Sequence, residues 1–579
     1  MLTEPEFKVV TEEAVASGLL RGLRDVLWFG TRAPASFRGT ATVAGIDVEI
    51  EVLLPISFPL QIPLVLLTRW DAVGFVPHVG PDGHVCYQSA EGLVLDRQRP
   101  GAVVVWALER SIYVLERGVA RENAADFVDE FEVSWYRLPG VRWITNVLDP
   151  PAASRDVCVV EVTPATGSAP PHRAIAGSIN DVAGYFGWDA GTTRPTTRAT
   201  CLVFPSGTLV VPPRHDAPFW TAEELRAFAR PALEAMTPKR RHALVGNHFH
   251  RSGTVAFVIP RPSGGVVVFA VDYEGGNGRH PLQDNGGDPV LHPVSVSRVE
   301  RTYLVPRGGG SADLSGKRVL LVGCGAVGGH VAHELVRAGI LGLTLVDPDT
   351  FSADNTFRHV LGRAFGPKAS TLRNNLRASY PYVRAEAVDE KIEVAVEAGT
   401  VDLRSFDLVV VAVGAPTVEL WLNELLRRSG GPPAVFTWLE PYGIGGHALL
   451  MRPCIPGCFE CLFTSPAPGP DTVLVNRASF AAPGQWFGRA LSGCGTLHTP
   501  FGSLDASRTA GLAVRLALDA LTGRETKGVL RSWKGPSQDF LDAGFELAPR
   551  HGVSEEALNR EGSLHVASDC RACSERAPL

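Results

Sequence analysis

Apolar residues change their spacing along the N-terminal part of the chain, and the change predicts strands followed by helices. Helical spacing comes first, continuously apolar or alternating runs follow, and helical spacing then returns. Elements in this order predict an α+β domain over residues 1–140. The predicted helices cover residues 12–27, 102–117 and 121–132, and the predicted strands cover residues 39–54 and 64–69.

Residues 141–300 have a different pattern and predict a mixed middle domain. Gly and Pro interrupt the apolar runs frequently, and no chemical motif stands out. The predicted strands cover residues 157–162, 200–211 and 266–271, and one helix is predicted at residues 222–237.

The third block, residues 301–579, begins with the pattern of a nucleotide-binding α/β domain. A short apolar run at 318–322 is typical of a buried parallel strand. It leads into Gly323, Gly325 and Gly328, then a helical pattern, a second apolar run and Asp347. This is a βαβ unit with GxGxxG at its first turn, whose glycines allow backbone N–H groups to approach an anion. The motif alone leaves an NAD-dependent enzyme as an alternative.

Composition narrows the range of partners and compartments. The 579 residues are 45% hydrophobic and 20% charged, with a net charge of −6, so nucleic acid and anionic membrane surfaces are disfavoured as partners. The N-terminus does not have the pattern of a signal peptide, and no apolar run reaches the roughly 18 residues of a membrane span. We therefore expect a cytoplasmic protein whose ten cysteines serve as thiols, metal ligands or nucleophiles.

Four of these cysteines form two CxxC pairs near the C-terminus. Cys458 and Cys461 make the first pair, and Cys570 and Cys573 make the second. Four thiolates at this spacing favour a closed tetrahedral Zn²⁺ site with a structural role. Because the pairs are far apart in the sequence, the metal would tie the C-terminus to the rest of the domain.

Two further cysteines are candidate nucleophiles. Cys494 lies between Gly493 and Gly495, and small neighbours leave a thiolate accessible to a bulky substrate. Cys86 follows a Gly-containing turn that begins near His78. Either cysteine could also be a packing residue, so the chemistry depends on what surrounds them.

The residues after the second predicted strand resemble the adenylating domain of the ThiF and ubiquitin-activating family. The shared pattern is an acid, then Asn, then Arg and a downstream Lys, here Asp347, Asn355, Arg358 and Lys368. The resemblance implies a Rossmann-like domain that binds ATP, with Asp347 on the ribose and the other three around the phosphates. Two cations and a donor suit a reaction in which a carboxylate attacks the α-phosphate.

The family's usual Mg²⁺-binding Asp is missing, and the resemblance leaves its substitute open. Gly414 stands in that place, so Asp349 or Glu440 would have to serve the metal, or the metal is held differently. Family members are often homodimers in which an upstream Arg reaches the partner's ATP. Arg301 lies at a suitable distance from the glycine motif, and a solvated surface Arg is the alternative.

The segment around Cys86 resembles the active site of ubiquitin-conjugating enzymes, in which a His-Pro-Asn triplet precedes the nucleophilic Cys. His78 matches the first residue of the triplet, but Val79 and Gly80 follow it, so the Asn that stabilises the oxyanion is missing. A backbone N–H or His84 would have to replace it. The resemblance implies that Cys86 and His78 are catalytic.

A conjugating-type domain, a middle domain and an activating-type domain in this order resemble the fused conjugation enzymes of bacterial CBASS antiphage operons. The resemblance implies that a protein with a free C-terminus, a cGAS-like nucleotidyltransferase, is adenylated, passed through Cys494 and Cys86, and joined to an amine of a target protein. Three alternatives stay open: a system with a small ubiquitin-like modifier, a sulfur-carrier adenylyltransferase, and a binding scaffold that forms no thioester.

Overall fold

In the computed structural model the chain forms two compact units. The first contains residues 1–182 and 190–299, and the second contains residues 183–189 and 300–579. Within the described part of the chain, no helix combines the length and the hydrophobicity needed to cross a bilayer. The structure describes residues 2–30, 33–162, 172–186, 194–246, 251–465, 473–490, 497–560, 562 and 565–574.

The N-terminal part of the first unit is a four-stranded antiparallel sheet covered by helices, with its strands in chain order. Alternate strand residues such as Phe37, Ile50 and Val52 are fully buried, and the long helix α2 packs against them. The elements are α1 (Glu4–Ala16), β1 (Arg21–Leu27), β2 (Ala35–Val43), β3 (Ile46–Leu54), β4 (Leu64–Leu67), α2 (Pro100–Val119), α3 (Asp126–Asp129) and α4 (Phe131–Tyr136).

The helix predicted at residues 12–27 is wrong, because the observed helix is earlier and a strand takes its second half. A capping box between Thr3 and Glu6 starts α1. Gly18 then adopts φ +73°, in the left-handed region that ends helices, and β1 follows. The predicted run 39–54 likewise forms two strands, because Ala44 and Gly45 make a tight turn with positive φ.

Residues 142–298 form a closed seven-stranded barrel, with strands in the order β10-β11-β5-β7-β6-β8-β9. Most neighbours are antiparallel, but β5 pairs parallel with β11 and β7, and β8 pairs parallel with β9. The elements are β5 (Arg142–Asn146), β6 (Arg155–Val162), β7 (His172–Ala176), α5 (Ile179–Phe186), β8 (Arg194–Val203), α6 (Ala222–Glu234), α7 (Pro238–Arg241), β9 (Ser252–Pro260), β10 (Val266–Glu274) and β11 (Val290–Arg298).

Alternate residues of the barrel strands enter two different cores. In β9, Ala256 and Val258 join a core made of strand residues, which fills the barrel. Phe257 and Ile259 face the other way, into a core shared with α6 and with α4. The Trp135 indole of α4 also donates a hydrogen bond of 2.9 Å to the carbonyl of Val294. The second of these two cores therefore joins the outer face of the barrel to helix α4, which precedes it.

The second unit is built on a seven-stranded sheet in the order β14-β13-β12-β15-β16-β17-β22. The first five strands are parallel, and β17 and β22 are antiparallel to their neighbours. The elements are α8 (Arg301–Arg307), β12 (Arg318–Val322), α9 (Ala326–Arg337), β13 (Gly342–Val346), α10 (Lys368–Ser379), β14 (Arg384–Val388), α11 (Ile392–Glu397), β15 (Leu408–Val411), α12 (Pro416–Arg428), β16 (Ala434–Leu439), β17 (Gly445–Met451), β18 (Phe463–Thr464), β19 (Val475–Asn476), β20 (Arg489–Ala490), β21 (Leu497–His498), α13 (Ser503–Leu521), β22 (Val529–Lys534), α14 (Gln538–Asp542), α15 (Glu555–Arg560) and α16 (Arg571–Ser574).

Both faces of this sheet are covered, as the continuous apolar run of β12 predicts. Val319 and Leu321 join the core on one face, while Leu320 and Val322 join the core on the other. Because β12, β13 and β15 are parallel neighbours, their carboxyl ends meet at one edge of the sheet, where open α/β sheets bind ligands.

Candidate active sites

The three glycines of the β12–α9 turn have different reasons to be glycine. Gly323 has φ +94°, and a Cβ on Gly328 would lie 1.9 Å from the carbonyl oxygen of Gly323, so the fold itself requires both. A Cβ on Gly325 would have no heavy atom within 4 Å. Gly325 therefore borders open space at the N-terminus of α9, which leaves room for an anionic group to approach the backbone.

The backbone of Cys324, inside this turn, is held from both sides. Asp347 accepts its N–H at 2.6 Å, and the Nε2 of His359 lies 3.0 Å from its carbonyl oxygen. Nδ1 of His359 accepts the N–H of Leu361, so the hydrogen is on Nε2, which donates to the carbonyl. Burial lowers the pKa of His359 and favours this neutral form. Nothing in the sequence around His359 indicates that its ring reaches the glycine turn.

Asp347, the predicted ribose ligand, is 6% exposed, and both of its oxygens accept backbone hydrogen bonds. The second bond comes from the N–H of Asp349 at 2.9 Å. Burial raises the pKa of Asp347, while the bonds from Cys324 and Asp349 lower it. In this structure Asp347 shapes the turn, and a ribose would have to share its oxygens.

The predicted phosphate-binding residues lie in the segment after β13. Lys368 begins α10, and its Nζ lies 2.7 Å from a carboxylate oxygen of Asp349, whose side chain is 65% exposed. The guanidinium of Arg358 lies over the ring of Phe501, 5.6 Å from its centroid. Asn355 caps the short 3₁₀ turn before Arg358 by accepting the N–H of Ser352.

The two candidate acids for Mg²⁺ have different surroundings. Glu440 is 4% exposed, and its oxygens contact His447 and Ser479, so it is occupied and buried. Asp349 is exposed and next to Lys368, which fits a cation that also binds phosphate oxygens. Gly414 has φ +70°, and its N–H donates to Glu419, which the sequence analysis missed. Burial raises the pKa of Glu419 to about 7.

The four cysteines of the CxxC pairs come together as predicted. Their sulfurs all lie within 4.8 Å of one another, and four of the six pairs are separated by 3.5 to 4.0 Å. The edge of a tetrahedron around Zn²⁺ with bonds of about 2.3 Å is roughly 3.8 Å, so the sulfurs fit this ion. Bonds from Cys458 and Cys461 lower the pKa of Cys573, which favours its thiolate form.

Cys494 and its flanking glycines lie outside the described residues. Of the remaining cysteines outside the cluster, Cys86 and Cys454 are exposed. Cys201 and Cys324 are buried, and burial raises the pKa of both thiols, so neither suits nucleophilic attack. The predicted dimer residue Arg301 donates a hydrogen bond of 2.6 Å to Ser315 of its own chain.

Cys86 lies at the base of a hairpin-like loop opposite His78. The Cys86 N–H donates to the His78 carbonyl at 2.8 Å, and Gly80 donates to His84 further out. The loop turns at Gly83, where a Cβ would lie 2.0 Å from the Leu67 carbonyl oxygen of β4. This pairing explains why the two predicted catalytic residues are adjacent.

Two acids that the sequence analysis missed surround His78. Nε2 lies 2.9 Å from Oδ2 of Asp126, and Nδ1 lies 2.5 Å from Oε1 of Glu130. Burial alone would lower the pKa of His78, but bonds to Cys86, Glu130 and Asp126 raise it to about 10. The acids are four residues apart, so they share one side of a helical turn.

Comparison with known proteins finds a family match for each of two regions of the chain. Residues 300–543 match the model of the ThiF family, and residues 31–141 match that of prokaryotic E2 family B. The chain is therefore an E1/E2-like enzyme that joins an ATP-dependent adenylating region to a ubiquitin-conjugating-type region. This confirms the predicted fold class and enzyme class, and it decides against the NAD-dependent alternative.

Particular relatives cover different shares of the chain. The ATP-dependent ubiquitin transferase-like protein Cap2 of Pseudomonas aeruginosa is 24% identical over 473 residues, 77% of this chain and 80% of the relative. The sulfur carrier protein adenylyltransferase of Thermus thermophilus is 32% identical over 120 residues, 20% of this chain and 44% of the relative. The match to the crystal structure of E. coli MccB with ATP covers 47% of this chain and 70% of the MccB chain, with a TM-score of 0.32 and 16% identity.

Proposed function

We propose that this enzyme joins the C-terminus of one protein to an amine of another through two thioesters. The C-terminal carboxylate attacks the α-phosphate of ATP, which forms an acyl-adenylate and releases pyrophosphate. The thiolate of Cys494 attacks the acyl carbon and releases AMP. The thiolate of Cys86 then displaces Cys494, and an amine displaces Cys86 to form an amide.

The surroundings of the glycine turn support the adenylation step. Lys368 and Arg358 place two cations in the segment after β13, where they can neutralise charge that develops on the α-phosphate. Mg²⁺ would add positive charge at the phosphates, and we assign Asp349 as the carboxylate that would hold it. The turn around Gly325 would bind the phosphates through backbone N–H groups.

One observation carries the proposal that Cys86 is a transfer nucleophile: its thiol is exposed and its backbone pairs with that of His78, inside a region that matches an E2 family. A sulfur-carrier adenylyltransferase would not need Cys86, and the relative of that name matches only a fifth of this chain. The assignment of residues 1–140, 141–300 and 301–579 as separate domains belongs to the same proposal.

The similarity to Cap2 supports a proposal for the substrates. We assign the activated protein as a cGAS-like nucleotidyltransferase whose conjugation primes CBASS signalling. The alternative is a small ubiquitin-like modifier, and the neighbouring genes of the operon distinguish the two. We further propose a cytoplasmic homodimer in which Zn²⁺ is held by Cys458, Cys461, Cys570 and Cys573.

Non-reducing gels test the relay with the full chain, ATP and the proteins encoded beside it. Cys494→Ala should keep ATP–pyrophosphate exchange and lose every thioester with the partner. Cys86→Ala should accumulate the thioester at Cys494 and lose the final conjugate. An unchanged conjugate band in Cys86→Ala contradicts the E2-type role, and absence of pyrophosphate exchange in the wild type favours the scaffold.

A further inference from the structure

The ring of His78 contacts a carboxylate at each of its nitrogens. Asp126 lies 2.9 Å from Nε2 and Glu130 lies 2.5 Å from Nδ1. A neutral imidazole carries a hydrogen on only one nitrogen, so it would direct a lone pair at one of these carboxylates. Only the imidazolium carries a hydrogen on both nitrogens, so two adjacent carboxylates favour the cation. The contact between Nδ1 and Glu130 is a charge contact and not an aligned hydrogen bond.

Glu130 also fixes the backbone of His78. Its Oε2 accepts the His78 N–H at 2.8 Å, while Oε1 contacts the ring of the same residue. His78 has φ +68°, in the left-handed region that a residue with a Cβ adopts only when its surroundings impose it. One carboxylate thus holds both the strained backbone and the ring.

We propose that Asp126 and Glu130 are positioning residues that hold His78 as a fixed cation beside Cys86, so that His78 stabilises negative charge during acyl transfer and does not act as a general base. The inference rests on the proposed function and deepens it. It assigns a role to two acids that no sequence motif identifies.

The transfer step can be written without removing a proton from His78. The nitrogen of a neutral amine attacks the thioester carbon, and negative charge develops on the carbonyl oxygen next to the imidazolium. The C–S bond then breaks, the amide forms, and the Cys86 thiolate takes up the proton that the amine nitrogen loses, through solvent. His78 begins and ends the step protonated, because a carboxylate remains beside each of its ring nitrogens.

Other ionisable groups lie near the loop that carries His78 and Cys86. Asp82 and Arg137 flank Gly80, and the side chain of Asp82 accepts the N–H of His84. Within the described residues, only Asp126 and Glu130 form ion pairs with His78. A pH profile of the transfer step therefore tests these two acids when the attacking amine stays uncharged across the pH range.

The experiment loads Cys86 chemically, so it does not depend on ATP, Cys494 or the natural partner. The full chain carrying Cys454→Ser and Cys494→Ser is charged with a short synthetic peptide thioester. Methoxyamine, a weakly basic and therefore uncharged amine, then cleaves the acyl-enzyme between about pH 6 and pH 9, where an ordinary His titrates. Intact mass spectrometry measures the rate of acyl loss.

For the protein with Asp126 and Glu130 intact, we expect a rate of acyl loss that is constant across this pH range. In Asp126→Asn/Glu130→Gln, the rate should fall roughly tenfold as pH rises through about 6.5, because His78 then titrates normally and loses its charge. Glu122→Gln, an exposed acid of the same region that pairs with Arg117, should behave as wild type. A wild-type rate that rises through an inflection near 6.5 would overturn the inference, as would a double variant that stays flat.

A second measurement applies even if the double variant fails to fold or the probe fails to react. The ¹⁵N shifts of the His78 ring, identified among the 16 histidines by His78→Gln, report its protonation state directly. A doubly protonated ring near pH 8 supports the inference, and a neutral ring contradicts it. If the proposed function fails because ATP never charges Cys86, both measurements still decide the state of His78.

Discussion

Backbone atoms shape the nucleotide site of the second unit, whereas charged side chains shape the pocket around Cys86. At the nucleotide site, Gly323 and Gly328 are required because a Cβ would clash with a neighbouring carbonyl oxygen, and the Cys324 backbone is held by Asp347 and His359. Around Cys86, two carboxylates hold one imidazole. A short contiguous motif can therefore specify a site that is made of backbone groups. A site made of charged side chains depends on residues that are distant in sequence.

The strongest way to separate the two sites is to remove the proposed Zn²⁺ from the second unit. Chelation or Cys458→Ser should lower the melting temperature of this unit by more than about 10 °C, because structural Zn²⁺ contributes on the order of 10 kcal/mol. Alkylation of Cys86 should continue at its normal rate. Scanning calorimetry and elemental analysis measure the effect, with the exposed Cys454→Ser as the matched control. Equal loss of both regions would contradict their independence.

Glycine substitutions distinguish fold from ligand binding within the nucleotide site. Gly328→Ala places a Cβ 1.9 Å from a backbone oxygen, so it should destabilise the second unit by about 1–3 kcal/mol and abolish pyrophosphate exchange. Gly325→Ala meets no protein atom, so it should keep the melting temperature and weaken ATP binding. Calorimetry and ATP titration separate the two outcomes. Wild-type ATP affinity in Gly325→Ala would show that the turn does not contact the nucleotide.

The side-chain part of the nucleotide site should affect chemistry more than folding. Lys368→Ala should slow pyrophosphate exchange by about 10²–10³-fold, the usual cost of removing one stabilising donor from a developing oxyanion. Its melting temperature should change little. Lys317, which pairs with Asp407 at 3.0 Å, provides the control Lys317→Ala. Equal loss in both variants would mean that Lys368 acts only as a surface charge.

The smallest effect concerns His359. Its pKa is lowered in the folded state, so the unfolded state binds its proton more readily, and stability is lost as pH falls below about 6.5 toward the lower folded value. His359→Gln should flatten this part of the pH profile. The difference between the melting curves of variant and wild type isolates His359 from His330 and His333, whose pKa values are also lowered. Identical pH slopes for His359→Gln and wild type would contradict the conclusion that neutral His359 stabilises the folded state.

Much of the second unit could be predicted, because its signals are local. The run at β12, the glycine motif and the CxxC pairs each specify their chemistry within a few residues, and the sulfurs come together as expected. The parallel sheet follows from the same pattern.

The missed residues share a physical cause. Asp126 and Glu130 are 48 and 52 residues from His78, and His359 is 35 residues from Cys324, so only the fold brings them together. The wrong helix at residues 12–27 has a different cause. Gly18 and Gly22 adopt positive φ and redirect the chain, which apolar spacing alone does not reveal.

The central claim is that an acyl group reaches Cys86 by way of ATP. Its most direct test is intact-mass analysis of the full-length Cys86→Ser protein, purified with the proteins encoded beside it and incubated with ATP. We predict a mass increase equal to one partner chain minus water, resistant to mild thiol reagents and located at residue 86, because a serine ester is more stable than a thioester. A thiol-resistant adduct located elsewhere, or none at residue 86 while wild-type protein forms conjugate, would contradict the account.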